Sequence, residues 1–230
     1  MSGTELVLRL LGAVVAAYLL GGVPTGVLVG KLYGVDPRAG GSGKTGTTNV
    51  LRTLGTRAAI MVLVGDLLKG VIAVLLARYV FFNPALFHVT STAAAQALQT
   101  WRPWAEALAG LAAVLGHTYS PYIGFKGGRG VATGGGALLV ISPLGVLAGL
   151  VVFALIVWRT RYVSLGSILG ATTAMVVECI LFFTGHAPLA YLLFVLVGGL
   201  TVIYLHKDNI QRLRDGTERK VSLPGAPAGA

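Results

Sequence analysis

Charge is what this chain has least of. Of its 230 residues 11% are charged and 55% apolar, against roughly a quarter charged in an average soluble domain, and the mean hydropathy is +0.79. A soluble domain with a charged surface is excluded, and a polytopic membrane protein is indicated. Acidic residues are the scarcer sign: eight Asp and Glu stand against eighteen Lys and Arg, a net charge of +10. With no clustered carboxylates there is nothing to hold a pair of catalytic metals, and no cofactor is called for. The one cysteine, Cys179, lies in an apolar run, so there is no disulfide framework and no CxxC metal pair, and it reads as a small hydrophobe. No soluble stretch exceeds about thirty residues, so the positive charge is not that of a nucleic-acid binder. The first apolar segment begins near Leu6 without a basic leader or an A-x-A cleavage site, and reads as a retained helix rather than a signal peptide.

What is there is a succession of apolar runs. They cover about Leu6 to Val29, Ala58 to Phe82, Trp104 to Leu115, Val131 to Trp158, Leu165 to Phe183 and Ala187 to Leu205, to be weighed against the roughly twenty residues that span the hydrocarbon. Lys and Arg concentrate in four connections: Lys31, Arg38, Lys44, Arg52 and Arg57 in the first; Lys126 and Arg129; Arg159 and Arg161; and Lys207, Arg212, Arg214, Arg219 and Lys220 in the tail. All four belong on the cytoplasmic side, with only Arg9, Arg78 and Arg102 near the outside. The parity closes only if the fourth run turns back on itself. Ser142-Pro143 with Gly145 stands in its middle, so it reads as a hairpin of two short helices. The expectation is an all-α, polytopic integral membrane protein of about seven transmembrane helices, N-terminus outside and C-terminus cytoplasmic. The third run is drawn as a tilted or interfacial helix from about Arg102 to Tyr119. Residues 1–220 form a single domain, and 221–230 read as a disordered cytoplasmic tail.

Between two of these runs lies GHTYSPYIGFKGGRGVATGGG, Gly116 to Gly136. Gly127, Gly128 and Gly130 would let backbone N–H groups converge on an anion, Lys126 and Arg129 add charge, and Thr133 a hydroxyl at the start of the next helix. A phosphate site at the membrane surface is the chemistry such a loop suits, with His117 placed to orient it. The first cytoplasmic loop, GGSGKTGTTNVLRTLGTR from Gly40 to Arg57, invites a Walker A reading. The spacing refuses it, because that motif requires glycine where Arg38 stands and a strand before it. What remains is a run of small donors, Ser42, Gly43, Thr45, Gly46, Thr47 and Thr48, leading into Asn49 and Arg52, able to bind phosphate oxygens or simply to be a flexible polar loop.

Asp66 and Lys69 in GDLLKG are ionisable groups one turn apart inside an apolar run. They either pair structurally or wall the site, with Lys69 lending charge to a phosphate. Glu178 and His186 read as structural. In the last segment, IYLHKDNIQRLRDGTE from Ile203 to Glu218, His206 and Asn209 share a helix face, one able to exchange a proton near neutral pH and the other to hold a hydroxyl; a plain juxtamembrane helix is the alternative. No histidine is followed by aspartate at the fifth position, since 93, 122, 191 and 211 hold Ala, Tyr, Tyr and Gln. The H-x-x-x-x-D dyad of the common glycerolipid acyltransferases is therefore missing.

Taken together, GGSGKTGTTNVLRTLG, GDLLKG, the glycine loop, TRYVSLGSI and HKDNIQRLRDGTE resemble, nearly end to end, the bacterial membrane acyltransferase family that uses acyl phosphate to acylate glycerol 3-phosphate. The resemblance implies an essential serine and arginine at Ser42 and Arg52, glycerol 3-phosphate binding at Lys126 to Gly130, and roles for His206, Asn209 and Glu218. It implies acyl phosphate and glycerol 3-phosphate as the small partners and a multi-pass protein of the bacterial cell membrane with its site on the cytoplasmic side; nothing in it requires more than a monomer. This chain departs from the family pattern at Lys44, where asparagine is usual, and at Arg129, where lysine is usual. Ser42, His206 and Asn209 are the expected catalytic residues, Ser42 positioning rather than attacking, with either His206 or the donor's own phosphate receiving the proton, the phosphate being preferred. An organic-phosphate transporter is the competing class, disfavoured by the absence of internal repeats and of broken helices meeting at mid-membrane.

Overall fold

The computed structural model describes residues 2–87 and 89–221, and every described regular element is helical. The chain runs α1 (Gly3–Gly22), α2 (Thr25–Leu32), α3 (Thr47–Leu54), α4 (Thr56–Leu76), α5 (Thr92–Thr118), α6 (Val131–Ile141), α7 (Pro143–Thr160), α8 (Val163–Phe183), α9 (Leu189–Leu205) and α10 (Lys207–Arg214). Four stretches, Gly3–Leu32, Thr56–Phe81, Pro143–Thr160 and Val163–Phe183, are long and apolar enough to cross a membrane, and α9 with α10, bent by 55°, makes a fifth if the pair is one span.

The first run is broken where Pro24 follows α1, because proline has no N–H to continue the ladder; α2 restarts at Thr25. The third run differs most from expectation. It is the end of a 27-residue helix, α5, which begins at the Ser91 cap and passes through Pro103. Its first half, with Gln96, Gln99, Thr100 and Arg102, is too polar to show as an apolar run. The fourth run does break at Ser142, with Pro143 as first residue of α7, but only α6 is short, at 11 residues against 18 for α7.

Small residues let these helices approach closely, which in lipid replaces the hydrophobic drive that water would provide. A Cβ on Gly70 of α4 would stand 2.0 Å from the Thr133 carbonyl oxygen, and one on Gly136 of α6 would stand 2.1 Å from that of Leu67. These two helices can therefore meet only backbone to backbone, which carries the start of α6 to mid-height on α4. Further packing joins α1 to α5, α7 to α8, and α9 to both α5 and α8.

Two buried ionic clusters pin the bundle. Asp66 accepts from Lys69 Nζ at 2.8 Å and from the Thr25 hydroxyl, with His117 Nδ1 at 3.4 Å, and Lys69 also donates to the Val23 carbonyl at 3.0 Å. That joins α4 to the α1–α2 break and to the end of α5. Elsewhere Glu106, fully buried, accepts two bonds from Arg78 at 2.8 Å and one from the Tyr191 hydroxyl at 2.6 Å. Arg78 is half-buried and is the charged partner of this carboxylate. Val221 is buried and donates to the Arg161 carbonyl at 3.0 Å, and the rest of the expected tail, 222–230, lies outside the described residues.

Candidate active site

A cleft of about 700 Å³ opens where the first loop, the glycine loop and the end of α9 meet. Its mouth is polar and cationic, lined by Ser42, Lys44, Thr47, Thr48, Arg52, Arg129, His206 and Asn209; its depth, between α4, α6, α7, α8 and α9, is walled by Leu, Val, Phe and Ala side chains and by glycine backbone, with Ser167 the one hydroxyl on the α8 wall beyond Ser164. The start of α3 and the start of α6 both reach the mouth, at Gly46–Thr48 and Gly130–Ala132. Amides of a first helical turn have no acceptor in their own helix, so two sets of free donors with positive partial charge face this space.

The first loop holds its shape through Asn49. Its side-chain nitrogen donates to the carbonyls of Pro37 (2.7 Å), Lys44 (2.9 Å) and Gly40 (3.3 Å), and its oxygen accepts from the Ser42 N–H at 2.7 Å. Asn49 lines the cleft with its amide already committed, and Gly43 does not line it at all. Thr47 is different, with a buried hydroxyl lacking any protein partner.

The glycine loop is built on another principle than the one its sequence suggests. The Gly127 and Gly128 N–H groups donate to the Thr118 and His117 carbonyls at 3.0 and 3.2 Å, so neither is free for an anion. Glycine is required there for contact: a Cβ on Gly127 would lie 1.9 Å from the His117 oxygen and one on Gly128 2.1 Å from its Nε2. The loop lies flat on His117, itself beside Asp66, and what it delivers is Arg129, Gly130 and the start of α6. Lys126 is exposed and away from the cleft; Lys69, Gly127 and Thr133 also fall outside its lining, Lys69 being committed to Asp66 and Val23.

Arg52 and Arg129 carry the electrostatics. Arg52 Nη2 donates to the Arg219 carbonyl at 3.1 Å and Arg129 Nε to the Leu205 carbonyl at 3.2 Å. Neither forms an ion pair with a carboxylate among the described residues. Burial draws the pKa of both downward, and Arg129 is lowered further by Arg212. A guanidinium nevertheless stays charged. Both are held only by carbonyls, with N–H groups to spare: Arg129, half-buried, is in want of an anion, and Arg52, exposed at the mouth, is placed to meet one.

The last segment supplies the third wall. His206, just past the end of α9, has Nδ1 2.7 Å from the Val202 carbonyl; a carbonyl only accepts, so Nδ1 bears the hydrogen and the lone pair is on Nε2. Burial lowers this imidazole to about 4, so it is neutral at pH 7 and accepts through Nε2. Asn209 donates through its nitrogen to Glu218 at 2.7 Å, leaving its buried oxygen without a partner. Glu218 also accepts from the Ser164 hydroxyl and Arg212 Nε, each at 2.8 Å. Burial alone would raise the Glu218 pKa, but the bonds from Asn209, Ser164 and Arg212 outweigh it and hold the carboxyl below its usual range. Glu218 is thus an organiser of Asn209 and of the returning chain, and Ser164 is a partner the sequence did not single out; its only signal was the TRYVSLGSI motif. No group of metal-ligating side chains occurs among the described residues.

This arrangement has relatives. The model of a family described as glycerol-3-phosphate acyltransferase matches residues 11–216. A protein of that name from Trichormus variabilis is 47% identical over 216 residues, covering 93% of each chain, and one from Trichlorobacter lovleyi is 45% identical over 207 residues, covering 90% of this chain and 95% of the other. Among solved structures, PlsY, an integral membrane glycerol 3-phosphate acyltransferase, superimposes in its glycerol 3-phosphate form with a TM-score of 0.76 at 38% identity, covering 93% of this chain and 96% of that one. Its lysophosphatidic acid form gives 0.75 at the same identity. Sequence and structure agree that this chain belongs to the glycerol-3-phosphate acyltransferase family of integral membrane proteins.

Proposed function

We propose that the chain transfers a fatty acyl group from acyl phosphate to the 1-hydroxyl of glycerol 3-phosphate, giving lysophosphatidic acid and inorganic phosphate. The observation that carries this is the pair Arg52 and Arg129 at the mouth of an apolar cleft, cations without an ion-pair partner among the described residues, with the free donors at the starts of α3 and α6 facing the same mouth. Two phosphates brought together repel, and two such positions offset that repulsion. The apolar depth suits the donor's chain. The acceptor and product are supported by the relatives' name and by the glycerol 3-phosphate and lysophosphatidic acid forms of the solved relative. Family membership leaves the transporter reading without support.

An acyl phosphate is a mixed anhydride whose leaving group is phosphate, so the carbonyl is already activated. The glycerol oxygen attacks the acyl carbon, the carbon–oxygen bond to phosphate breaks, and the departing phosphate takes the hydroxyl proton. The protein supplies orientation, with the hydroxyl about 3–3.5 Å from the carbonyl carbon, and charge for the growing phosphate anion. Neutral His206 accepts from the glycerol 2-hydroxyl through Nε2, with the Asn209 oxygen a second acceptor on the same wall, and the 1-hydroxyl keeps its proton for the departing phosphate. The Thr47 and Ser42 hydroxyls donate to phosphate oxygens. A seven-crossing topology by α1, α4, α5, α6, α7, α8 and α9 with the N-terminus outside is supported by the four Lys- and Arg-rich connections, and in it this mouth faces the cytoplasm.

The experiment is a donor comparison with purified protein and glycerol 3-phosphate. Acyl phosphate yields lysophosphatidic acid, while acyl-CoA and acyl-carrier protein do not; efficient, phosphate-independent turnover of acyl-CoA would overturn the reading.

A further inference from the structure

The apolar depth of the cleft has a definite end on α6, α7, α8 and α9. Its last lining residues are Leu139 on α6, Val146 on α7, Ala174 on α8 and Phe194 on α9. One turn further, at the α6–α7 junction and on α8, the wall stops being apolar. Ser142 follows Leu138 and precedes Val146 by one turn, bonded to both through the backbone, and Glu178 follows Ala174 by four residues on α8. The Ser142 hydroxyl donates to Glu178, both are buried, and the other Glu178 carboxyl oxygen has no partner. A buried carboxyl with an open oxygen is a hard floor for a hydrocarbon, because an apolar chain pushed against it removes any relief of its desolvation and returns nothing.

We propose that the Ser142–Glu178 pair is the floor that sets acyl chain length in this protein. The inference rests on the donor's acyl chain lying in the cleft. From His206 to Phe194 along α9 the lined wall runs ~18 Å, and from Ser164 to Ala174 along α8 ~15 Å, at helical rise, room for about fourteen extended carbons within about two either way. Up to that length every added methylene is buried. Beyond it, each added methylene meets Glu178 or must fold back, and one misplaced methylene in a shaped pocket costs about tenfold or more in kcat/KM.

The test is a series of saturated acyl phosphates from twelve to twenty carbons, assayed on the full chain with glycerol 3-phosphate. The wild-type protein has an optimum followed by a fall of at least tenfold within about four carbons. The paired substitution Ser142→Ala with Glu178→Ala opens the floor and moves the optimum to longer chains. Ala174→Leu, which raises the floor without touching the polar pair, moves it to shorter ones and serves where the first variant does not fold. A flat wild-type profile, or a folded Ala174→Leu protein with the wild-type optimum, overturns the inference while leaving the acyl-transfer reading intact. Failure of every acyl phosphate with the wild-type protein sinks that reading and this one with it.

Discussion

The Ser42 backbone N–H donates to the Asn49 side-chain oxygen at 2.7 Å, while the Asn49 nitrogen is shared among the carbonyls of Pro37, Gly40 and Lys44. One buried amide on α3 therefore holds the entire bend that presents Ser42 and Lys44 to the cleft.

Asn49→Ala removes four loop contacts at once, so the loop loses its shape while the bundle keeps its packing. Activity should fall by about 10² or more and Lys44 should become a site of rapid tryptic cleavage, with helical content unchanged by circular dichroism. An Asn49→Ala protein as protease-resistant as wild type would show that the amide is not the clasp.

Arg52 and Arg129 should each matter through charge and shape. Replacing either by Ala removes charge-assisted contacts of about 1.5–3 kcal/mol each, roughly a 10- to 150-fold loss in kcat/KM. Because Arg129 delivers its charge beside the start of α6, Arg129→Lys should recover part of that loss; a compact ammonium keeps attraction but not the planar fork. Steady-state kinetics with each substrate varied in turn assigns each arginine to one phosphate, and unchanged KM and kcat in both Ala variants would remove them from the site.

His206 has its pKa lowered to about 4 by burial, so above about pH 5 it is already neutral and its titration leaves activity untouched between pH 5 and 8. The acidic limb of kcat should instead follow the second ionisation of the donor's phosphate, which the electron-withdrawing acyl group holds below the ~6 of a phosphate monoester. His206→Gln keeps a hydrogen-bonding group without a titration, so it should raise KM for glycerol 3-phosphate, retain substantial kcat and preserve that limb. Loss of the limb together with about 10² or more in kcat would make His206 the base.

The parts of this fold that follow from one-dimensional pattern were readable in the sequence. Lys and Arg clustering marked the connections, and Ser142-Pro143 marked the break between α6 and α7. The spacing of Asp66 and Lys69 permitted the pair that forms at 2.8 Å, though not that Val23 would take the remaining Lys69 donor. What was not legible depended on which partner a polar group finds across the bundle. The glycines at 127 and 128 carry the composition of a phosphate cradle, yet their N–H groups are bonded to the end of α5 and their missing Cβ atoms make room for His117. Ser164 and Glu218, 54 residues apart, meet only after α8, α9 and α10 have folded back on one another. Glu106, with Arg78 and Tyr191, is a similar long-range product in which no local spacing gives a clue.

The proposed reaction is direct transfer between two held phosphates, with Ser42 positioning and not attacking. Acyl phosphate labelled in both its acyl and phosphoryl groups, mixed with stoichiometric enzyme and no glycerol 3-phosphate, tests it most directly by rapid quench. Direct transfer gives no burst of labelled phosphate and no acylated protein until glycerol 3-phosphate is added, and then one phosphate for each lysophosphatidic acid. A burst equal to the enzyme present, with the acyl label retained on Ser42, would contradict it.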